Sequence, residues 1–449
     1  MAIEVASRAV GTALNDLLQH LGIDRAHIAA GRFVLTDWYG LATVYPERVA
    51  SLTLVSPLSM DPGVLQELGS RLLVLTGDQG PPAESARQLL TGLPQASSHT
   101  LHDYMRMLWS DVMADRGAEI GPVMLEFLAR VSQGDAVAAV TLPEQQGEVA
   151  GISYHLRGAG PPLVLTPLDL APSQWEPLIP LLSTRYCTIT LGGPMLGPVA
   201  ILEGRGRSSY LGIVRALLDA VRIQPGEAIL EVGPGSGLVL RELVRRTAGA
   251  NPIVGVDINP YLLREAAALA QREGLDSRID FREGSAEALP LEANSVDVAL
   301  SCTVMEEGDA DKMLAELVRV TRPGGRIAAI VRAVDMPPWA NLQLSKALRS
   351  KVSRPGAVGA GVGAGGCADA SLYRRFHAAG LTELNFFPQF DAMTPTVEPT
   401  RLAGFAQQIL ASLTLDEAAE WREAVAQAEA DGTFFIATSH HCAIGTKPA

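Results

Sequence analysis

The chain has 449 residues, of which 47% are hydrophobic, and a formal net charge of −13 at pH 7. Its length exceeds what one hydrophobic core of ordinary size supports, so two or more domains are expected. The acidic balance argues against a nucleic-acid partner, because phosphate contacts need clustered Lys and Arg. It argues equally against binding to an anionic membrane surface.

The cysteines and the N-terminus indicate the compartment. Cys187, Cys302, Cys367 and Cys442 lie far apart and form no CxxC pair, which favours reduced thiols and predicts neither a disulfide framework nor a metal site. The first residues, Met1–Val5, lack the basic region and apolar core of a signal peptide. No segment is apolar for long enough to span a bilayer. We therefore predict a cytoplasmic protein.

Residues 1–131 alternate strand-like and helix-like patterns. Apolar runs at Ala26–Ala30, Ala50–Ser56 and Arg71–Thr76 predict three strands, and the segments between them are compatible with helices. Strands that alternate with helices predict a parallel sheet.

Two stretches of this region, Leu21–His27 and Tyr45–Ser56, resemble the middle of an α/β-hydrolase. In that family the turn between them reads G-x-S-x-G, with the serine as nucleophile. Here residues 31–35 read Gly-Arg-Phe-Val-Leu, so Phe33 stands in place of the serine and the closing glycine is missing. The resemblance therefore implies a hydrolase-like domain that lacks its nucleophile.

The other hydrolase groups match loosely. The resemblance would put the family's acid near Asp78 and its histidine near His99 or His102. Without a nucleophile these side chains have no catalytic role.

Residues 149–198 resemble the beginning of the same fold. The segment Gly151–Leu165 is similar to its first strands, Trp175–Leu182 to its first helix and Tyr186–Leu191 to the next strand. The early part of the pattern thus follows the later part along the chain. One circularly permuted domain and two fragments of separate hydrolase copies both fit this order.

We prefer the permuted domain, because half a sheet would expose a strand edge and an apolar face. Residues 132–148 would then be the linker that the permutation requires. The hydrolase-like domain would comprise residues 1–198, followed by an inter-domain linker at 199–209 within a stretch rich in Gly, Pro and Arg. A second domain would occupy residues 210–449 and begin with an amphipathic helix, Tyr210–Val221.

The second domain opens with a strand, a glycine-rich turn and a helix. Residues 228–237 read Ala-Ile-Leu-Glu-Val-Gly-Pro-Gly-Ser-Gly, a helix is predicted over Leu238–Arg246, and the next strand, Ile253–Asp257, ends in a carboxylate. This is the first half of a βαβ nucleotide-binding unit. Glycines without Cβ atoms allow a sharp bend and a close approach to a ligand.

The charge at the turn discriminates between ligands. A pyrophosphate at the helix N-terminus would be repelled by Glu231, which lies two residues before the first glycine. A carboxylate there suits a cationic ligand with an amino group and a sulfonium, which describes S-adenosylmethionine. Asp257 is placed to accept hydrogen bonds from two ribose hydroxyls.

On these motifs, residues 206–445 resemble the class I S-adenosylmethionine-dependent methyltransferases, in particular the group of quinone-biosynthesis C-methyltransferases. Three later segments match the family in order: Ser285–Pro290 beside the adenine, Ser295–Cys302 as the fourth strand, and Leu317–Ile327 as the following helix, turn and fifth strand. The chain is therefore predicted to be α/β, with a Rossmann-like methyltransferase domain after the hydrolase-like one.

The resemblance implies a set of cofactor-binding residues. The glycines would pack against the methionine part, Glu231 would face its amino group, Asp257 the ribose and Ile258 the adenine face. The further members of the predicted set are Gly233, Pro234, Gly235, Gly237, Ser285, Ala286, Glu287, Ser301 and Tyr210.

Candidate catalytic residues are fewer. Where two histidines commonly follow the fourth strand in this group, the chain has Met305-Glu306-Glu307. Glu306 or Glu307 would act as a base or substrate anchor, or both would be a solvated helix start, which their charge favours. His440 and His441 face opposite sides of a predicted strand, so one at most reaches a pocket. Our catalytic candidates are Glu306, Glu307 and His441.

Residues 333–370 form an insertion after the fifth strand. The part from Pro355 to Gly366 is nearly all Gly, Ala and Val, which orders at a high entropic cost. The insertion is either a lid over the substrate or a plain loop.

The predicted function is methyl transfer from S-adenosylmethionine to a small-molecule acceptor of secondary metabolism. Three alternatives remain open: a protein that uses the cofactor for a non-methylating reaction such as a cyclisation, an active hydrolase with a regulatory partner domain, and a scaffold that the cofactor only stabilises. The expected partner is the acceptor; a homodimer is left open.

Overall fold

The structure is a computed structural model that describes residues 2–31, 38–57, 62–105, 111–134, 137–140, 145–168, 172–193, 195–355, 362–363 and 365–449. The chain divides into two compact units, Ile3–Ala200 and Ile201–Ala449. Among the described residues, none of the helices is both long enough and apolar enough to cross a membrane.

The first unit contains an eight-stranded sheet. Its strands are β1 (Ala26–Ala30), β2 (Val49–Val55), β3 (Leu72–Gln79), β4 (Ser97–Met105), β5 (Gln146–Val149), β6 (Ile152–Arg157), β7 (Pro162–Leu165) and β8 (Cys187–Gly192). They lie in the order β4-β3-β2-β1-β7-β8-β6-β5. Along this order, the pairings between β4, β3, β2, β1, β7 and β8 are all parallel. Strand β6 runs antiparallel to both of its neighbours, β8 and β5.

The two pieces of sequence expected to form one domain, residues 1–131 and 149–198, meet inside this one sheet. β1 from the first piece pairs in parallel with β7 from the second, with His27 opposite Leu163. Every residue of β1 and of β2 is buried. Neither piece therefore leaves an exposed apolar edge at the join.

Helices cover both faces of this sheet. They are α1 (Ala2–His20), α2 (Tyr39–Val44), α3 (Pro62–Gln66), α4 (Gly80–Thr91), α5 (Val112–Gly134) and α6 (Ile179–Leu182). The next helix, α7 (Gly197–Gly204), contains the point at which the chain passes from the first unit to the second. Side chains alternate along the strands: Ile28 packs in the cluster that contains Trp38, and its neighbour Ala29 packs in the cluster that contains Trp175.

The two stretches expected to be linkers contain regular structure. α5 extends to Gly134 and β5 begins at Gln146, so both enter the stretch 132–148. The stretch 199–209 contains most of α7, a 3₁₀ turn at Arg205–Arg207 and the first residue of the next helix. A three-residue helix end or a four-residue edge strand has too weak a local pattern to be recognised, because packing and pairing with distant segments decide it.

The second unit contains the other sheet. Its strands are β9 (Ile229–Val232), β10 (Ile253–Asp257), β11 (Ile279–Glu283), β12 (Val296–Cys302), β13 (Thr321–Arg332), β14 (Trp339–Ala340), β15 (Thr382–Met393) and β16 (Ile436–Thr446). The order is β11-β10-β9-β12-β13-β16, with β15 and β14 also paired to β16. Strands β9 to β13 are parallel, and β16 runs antiparallel to β13.

The helices of this unit are α8 (Ser209–Val221), α9 (Leu238–Arg246), α10 (Pro260–Arg272), α11 (Ala310–Val320), α12 (Lys346–Val352), α13 (Ser371–Ala378), α14 (Pro399–Ala411) and α15 (Leu415–Ala430). Side-chain caps begin several of them. The side-chain oxygen of Asn259 accepts hydrogen bonds from the amides of Tyr261 and Leu262 at the start of α10. Thr414 and Glu417 form a capping box at the start of α15. The predicted bounds of α9 and β10 are confirmed.

The order of the strands positions the site. From β9 the chain moves outward to β10 and β11, then returns to the other side of β9 as β12. Ligands of open α/β sheets bind at the carboxyl ends of the strands where the order reverses. In this unit that point lies at the ends of β9 and β12.

Candidate functional site

The glycine-rich turn after β9 requires glycine at each of its three positions. The φ angles of Gly233, Gly235 and Gly237 are +65°, +55° and +77°. A Cβ on Gly233 would also lie 2.3 Å from Cγ2 of Val304, in the segment that follows β12. The turn thus packs directly against the end of the neighbouring strand, and Pro234 lies within it, its carbonyl accepting from the Gly237 amide at 2.8 Å.

A buried ionic network holds this turn in place. Glu203 accepts a hydrogen bond from Ser236 Oγ at 2.5 Å and another from Arg241 Nη2 at 2.5 Å. Arg241 also donates from Nη1 to the Ser236 carbonyl at 2.7 Å, and only 1% of its side chain is exposed. Sequence reasoning missed these residues, because an arginine on an amphipathic helix is usually exposed.

Asp257 lies beside the turn, as predicted. Its Oδ2 accepts a hydrogen bond from the Gly235 amide at 3.1 Å, and its Oδ1 accepts from the Asn259 amide at 2.9 Å. Burial raises the pKa of this carboxyl group, while the two backbone amides lower it. Each carboxylate oxygen has a second lone pair, so both can still accept from ribose hydroxyls.

Glu231 is the most strongly perturbed group at the turn. It is 1% exposed, and burial, followed by the charge of Asp257, raises its pKa to about 8. Its Oε2 has no hydrogen-bond partner among the described residues. An unsatisfied buried carboxylate oxygen is costly and would be satisfied by a cationic donor such as an ammonium group.

The residues predicted around the adenine lie at the ends of β10 and β11. Ile258 follows Asp257 and is 67% exposed, which leaves its side chain open to a flat ligand. Ala286 packs at the edge of the core. The Ser285 hydroxyl accepts from the Glu287 amide at 3.1 Å, and the Glu287 carboxylate accepts from the Asp309 amide at 2.9 Å, so this carboxylate is turned towards the start of α11.

Ser301 is the penultimate residue of β12. It is 2% exposed and lies opposite Val232 of β9 and Ala329 of β13. Ser301 therefore lies inside the sheet, one residue before the end of β12. Its neighbour on β9, Val232, directly precedes the glycine turn.

An open cavity lies next to the turn, beyond the carboxyl ends of β12 and β13. Its empty volume is about 570 Å³, including the open mouth. The lining residues share this edge of the sheet and the helices above it: Arg205, Tyr210, Thr303, Arg332, Ala333, Val334, Met336, Pro338, Arg401, Phe405, Thr438, Ser439 and His440. Thr303 directly precedes Val304, so the cavity borders the glycine turn without including it.

Tyr210 lines this cavity and is 3% exposed. The Arg205 guanidinium lies 4.9 Å above its ring, and the His440 ring meets it edge-on at 5.7 Å between centroids. Burial raises the pKa of the Tyr210 hydroxyl, so this group stays protonated. Tyr210, a member of the predicted cofactor-binding set, thus lies in the wall of the neighbouring cavity.

Of the two histidines on β16, His440 and not His441 lines the cavity. Both ring nitrogens of His441 are engaged, Nδ1 at 2.8 Å from the Tyr373 hydroxyl and Nε2 at 2.8 Å from Asp335 Oδ1. The alternation along a strand predicts that only one of them can face a pocket, but not which one. The position of His441 supports a role in anchoring the start of the insertion rather than the catalytic role we predicted.

Glu306 and Glu307 lie before helix α11, which begins only at Ala310. Glu306 is fully buried, its Oε1 accepts from the Arg332 amide at 2.7 Å, and burial raises its pKa to about 7. A solvated helix start is therefore wrong for Glu306. Neither glutamate lines the cavity, so the predicted role as a base has no geometric support.

Within the insertion, α12 packs with β14 and the last two helices. Leu348 and Val352 of α12 join Trp421 and Phe434 in one apolar cluster. Residues 356–361 and 364, within the Gly/Ala/Val run, lie outside the described residues.

In the first unit, one of the two loosely matched histidines, His102, lies near the matched acid, Asp78, and the other, His99, pairs with a different carboxylate. His102 Nδ1 is 3.6 Å from Asp78, whereas His99 Nε2 contacts Glu119 at 2.8 Å. Asp78 also accepts from the amides of Asp103 and Tyr104, and the Asp103 amide lowers the pKa of its carboxyl group. Phe33 lies outside the described residues.

Comparison with known proteins identifies part of the second unit. Residues 230–329 match the methyltransferase domain family. The chain is 30% identical over 117 residues to a ubiquinone/menaquinone biosynthesis C-methyltransferase of Hahella chejuensis, covering 26% of this chain and 47% of that protein. It is 36% identical over 111 residues to a sterol 24-C-methyltransferase of Gibberella zeae, covering 24% of this chain and 28% of that protein.

The chain thus spans less than half the length of these curated relatives. Among solved structures, the YcgJ protein of Bacillus subtilis is 17% identical, with a TM-score of 0.35, over 53% of this chain and 99% of that protein. The segment that matches the methyltransferase domain family, residues 230–329, includes the glycine turn, Asp257 and β12.

Proposed function

We propose that the second unit transfers a methyl group from S-adenosylmethionine to a small-molecule acceptor bound in the cavity beside the glycine turn. The observation that supports this most directly is the position of Glu231. A buried carboxyl group with an unsatisfied oxygen lies at the turn, and a cationic ligand would stabilise its ionised form.

The residues divide between two sides of the sheet edge. On the cofactor side, Glu231 would receive the amino group, Asp257 the ribose and Ile258 the adenine ring. Gly233, Gly235 and Gly237 let the backbone approach the methionine part. On the acceptor side, Thr303 and Tyr210 border the cavity close to the turn.

S-Adenosylmethionine, when bound, supplies a methyl group on a positively charged sulfur. The contribution of the chain is to hold acceptor and cofactor in line and to exclude water, which accounts for much of the rate in such reactions. Among the described residues the cavity wall has no carboxylate. Burial lowers the pKa of His440 to about 3, so its ring is neutral and offers a hydrogen bond rather than a strong base.

The test combines binding and product analysis on the full chain. Calorimetry with S-adenosylmethionine should give saturable binding in the micromolar range, and Asp257→Ala should weaken it at least tenfold. Mass spectrometry of incubations with candidate acceptors should detect S-adenosylhomocysteine together with a product 14 mass units heavier. Turnover of an acceptor without S-adenosylhomocysteine would instead support a non-methylating reaction, and absence of cofactor binding would refute the proposal.

We also propose that the first unit is a circularly permuted, non-catalytic hydrolase-like domain. Counted from β5, the sheet order reads 1-2-4-3-5-6-7-8 with the second strand antiparallel, so the later part of the sequence supplies the first four strands of one continuous sheet and the earlier part supplies the last four. The full chain should neither cleave p-nitrophenyl acetate above background nor react with a fluorophosphonate probe for nucleophilic serines. Stoichiometric labelling by the probe would contradict the loss of the nucleophile.

A further inference from the structure

The cavity of the second unit has an unusual charge pattern. Three arginines, Arg205, Arg332 and Arg401, contribute to its wall, and no Asp or Glu among the described residues does. The chain as a whole is strongly acidic, with a net charge of −13. Carboxylates behind the wall pair with Arg401 and lie near Arg332, so guanidinium groups are the charged groups that a ligand in the cavity would meet.

The three arginines differ in how far they are neutralised. Arg401 forms ion pairs with Asp391 at 2.9 Å and with Glu398. Arg332 Nε lies 3.6 Å from Glu306. Because burial raises the pKa of Glu306 to about 7, this carboxylate is only partly charged near neutral pH.

Arg205 has no carboxylate within ion-pair distance among the described residues. Its Nη1 donates to Thr303 Oγ1 at 3.1 Å, and its guanidinium lies over the ring of Tyr210. Its Nε is buried and has no hydrogen-bond partner among the described residues. A guanidinium at the wall of a cavity that forms no ion pair among the described residues is suited to an oxyanion, which accepts charge-assisted hydrogen bonds from it.

The wall also contains a group of apolar residues. Val334, Met336, Pro338 and Phe405 contribute aliphatic and aromatic surface around the arginines. Such a wall favours a ligand with an apolar body and one charged group.

We propose that the acceptor is an apolar small-molecule acid whose carboxylate or phosphate is bound by Arg205, with Arg332 adding to the positive field. This inference rests on the proposed methyl transfer, because it assigns the cavity to the acceptor. Arg205 is a binding and specificity residue here, and takes no part in moving protons. The methionyl carboxylate of the cofactor presents the same chemistry and is the other source of an oxyanion near Thr303.

The experiment separates the two sources. S-Adenosylhomocysteine binding is measured first by calorimetry for the unmodified chain and for Arg205→Gln. The chain saturated with S-adenosylhomocysteine is then titrated with 2-naphthoate, with naphthyl phosphate, and with 2-naphthamide as the neutral isostere. Arg207→Gln, two residues away at an exposed position, is the matched control.

We expect one or both of the anions to bind at least tenfold more tightly than 2-naphthamide, and their affinity to fall as NaCl rises from 50 to 500 mM. Arg205→Gln should abolish this preference while its S-adenosylhomocysteine affinity changes less than threefold, and Arg207→Gln should change neither. The tighter anion identifies the group on the acceptor.

Equal binding of both anions and the amide to the unmodified chain would overturn the proposal without any variant. A loss of S-adenosylhomocysteine affinity in Arg205→Gln would assign the charge to the cofactor's carboxylate and would also overturn it. Failure of the unmodified chain to bind S-adenosylhomocysteine would refute the proposed function instead, while anion binding could still be measured on the free chain.

Discussion

The backbone amide of Arg332 donates a 2.7 Å hydrogen bond to Oε1 of Glu306, which joins the turn after β12 to the end of β13. The other oxygen of Glu306 has no hydrogen-bond partner among the described residues. This contact fixes the position from which the Arg332 side chain reaches the cavity. It also places a titratable group in the interior of the second unit.

Glu306→Ala should lower the free energy of unfolding by about 1–3 kcal/mol, because it leaves a buried amide without an acceptor. Glu306→Gln keeps an acceptor oxygen and should cost less. Urea denaturation at pH 7, followed by circular dichroism, measures both. Equal loss in the two variants would show that the carboxylate charge, and not the hydrogen bond, matters for stability.

The same residue should make stability depend on pH. Its pKa is about 7 in the folded chain against an ordinary value of 4.5, so between these values the folded state binds more protons than the unfolded state. Stability contributed by this group is therefore lost as pH rises from about 5 to 7. Denaturation of Glu306→Gln across this range should show a smaller decline than the unmodified chain; identical pH profiles would contradict this assignment.

Binding of S-adenosylmethionine should release protons near pH 7. Glu231 has a pKa of about 8 in the free chain and is largely protonated at pH 7, and an ammonium group beside it would favour the carboxylate. The affinity should therefore rise between pH 6 and pH 8. Calorimetry in two buffers with different ionisation enthalpies counts the released protons. Glu231→Gln should bind more weakly and release none; release by this variant would assign the protons to another group.

Gly233→Ala should destabilise the second unit and abolish cofactor binding. The substitution combines a φ of +65° with a Cβ placed 2.3 Å from Val304 Cγ2. Gly226→Ala is a matched control, because its φ is +85° and nothing lies within 4 Å of its Cβ. The control should cost only the strain of about 1–2 kcal/mol.

Val304→Ala in the background of Gly233→Ala should recover part of the lost stability, since it removes both methyl groups that the new Cβ would meet. Thermal unfolding compares the unmodified chain, Gly233→Ala, Val304→Ala and the double variant. A double variant no more stable than Gly233→Ala would show that the backbone conformation alone requires glycine.

Arg241→Leu should be more destabilising than an ordinary arginine substitution. It removes the 2.5 Å ion pair between Arg241 and Glu203, whose side chain is 14% exposed. Loss of one partner of a buried ion pair typically lowers the free energy of unfolding by about 3–5 kcal/mol. Arg245→Gln one turn later removes a half-exposed ion pair with Glu273 and should cost less than about 1 kcal/mol. Denaturation of both variants provides the comparison, and similar costs would mean that the network does not hold the turn.

Several parts of the fold were predictable because their signals are local. The strand, glycine turn and helix from 228 to 246 and the acidic end of β10 were placed correctly, since each depends on apolar runs, positive-φ positions and a helix pattern within about 30 residues. The short edge strand β5 and helix α7 were not recognised, because pairing and packing with distant segments decide them.

The sequence by itself predicted that a cationic ligand would suit the turn, through Glu231, the glycines and Asp257, and that His440 and His441 face opposite ways. Only the tertiary structure decided that His440 faces the cavity, that Glu306 is buried behind Arg332, and that Arg241 is an interior residue. The physical reason is that burial and the sum of neighbouring charges depend on residues far apart in the chain. The convergence of Arg205, Arg332 and Arg401 on one cavity is a property of the packed sheet edge that no local pattern contains.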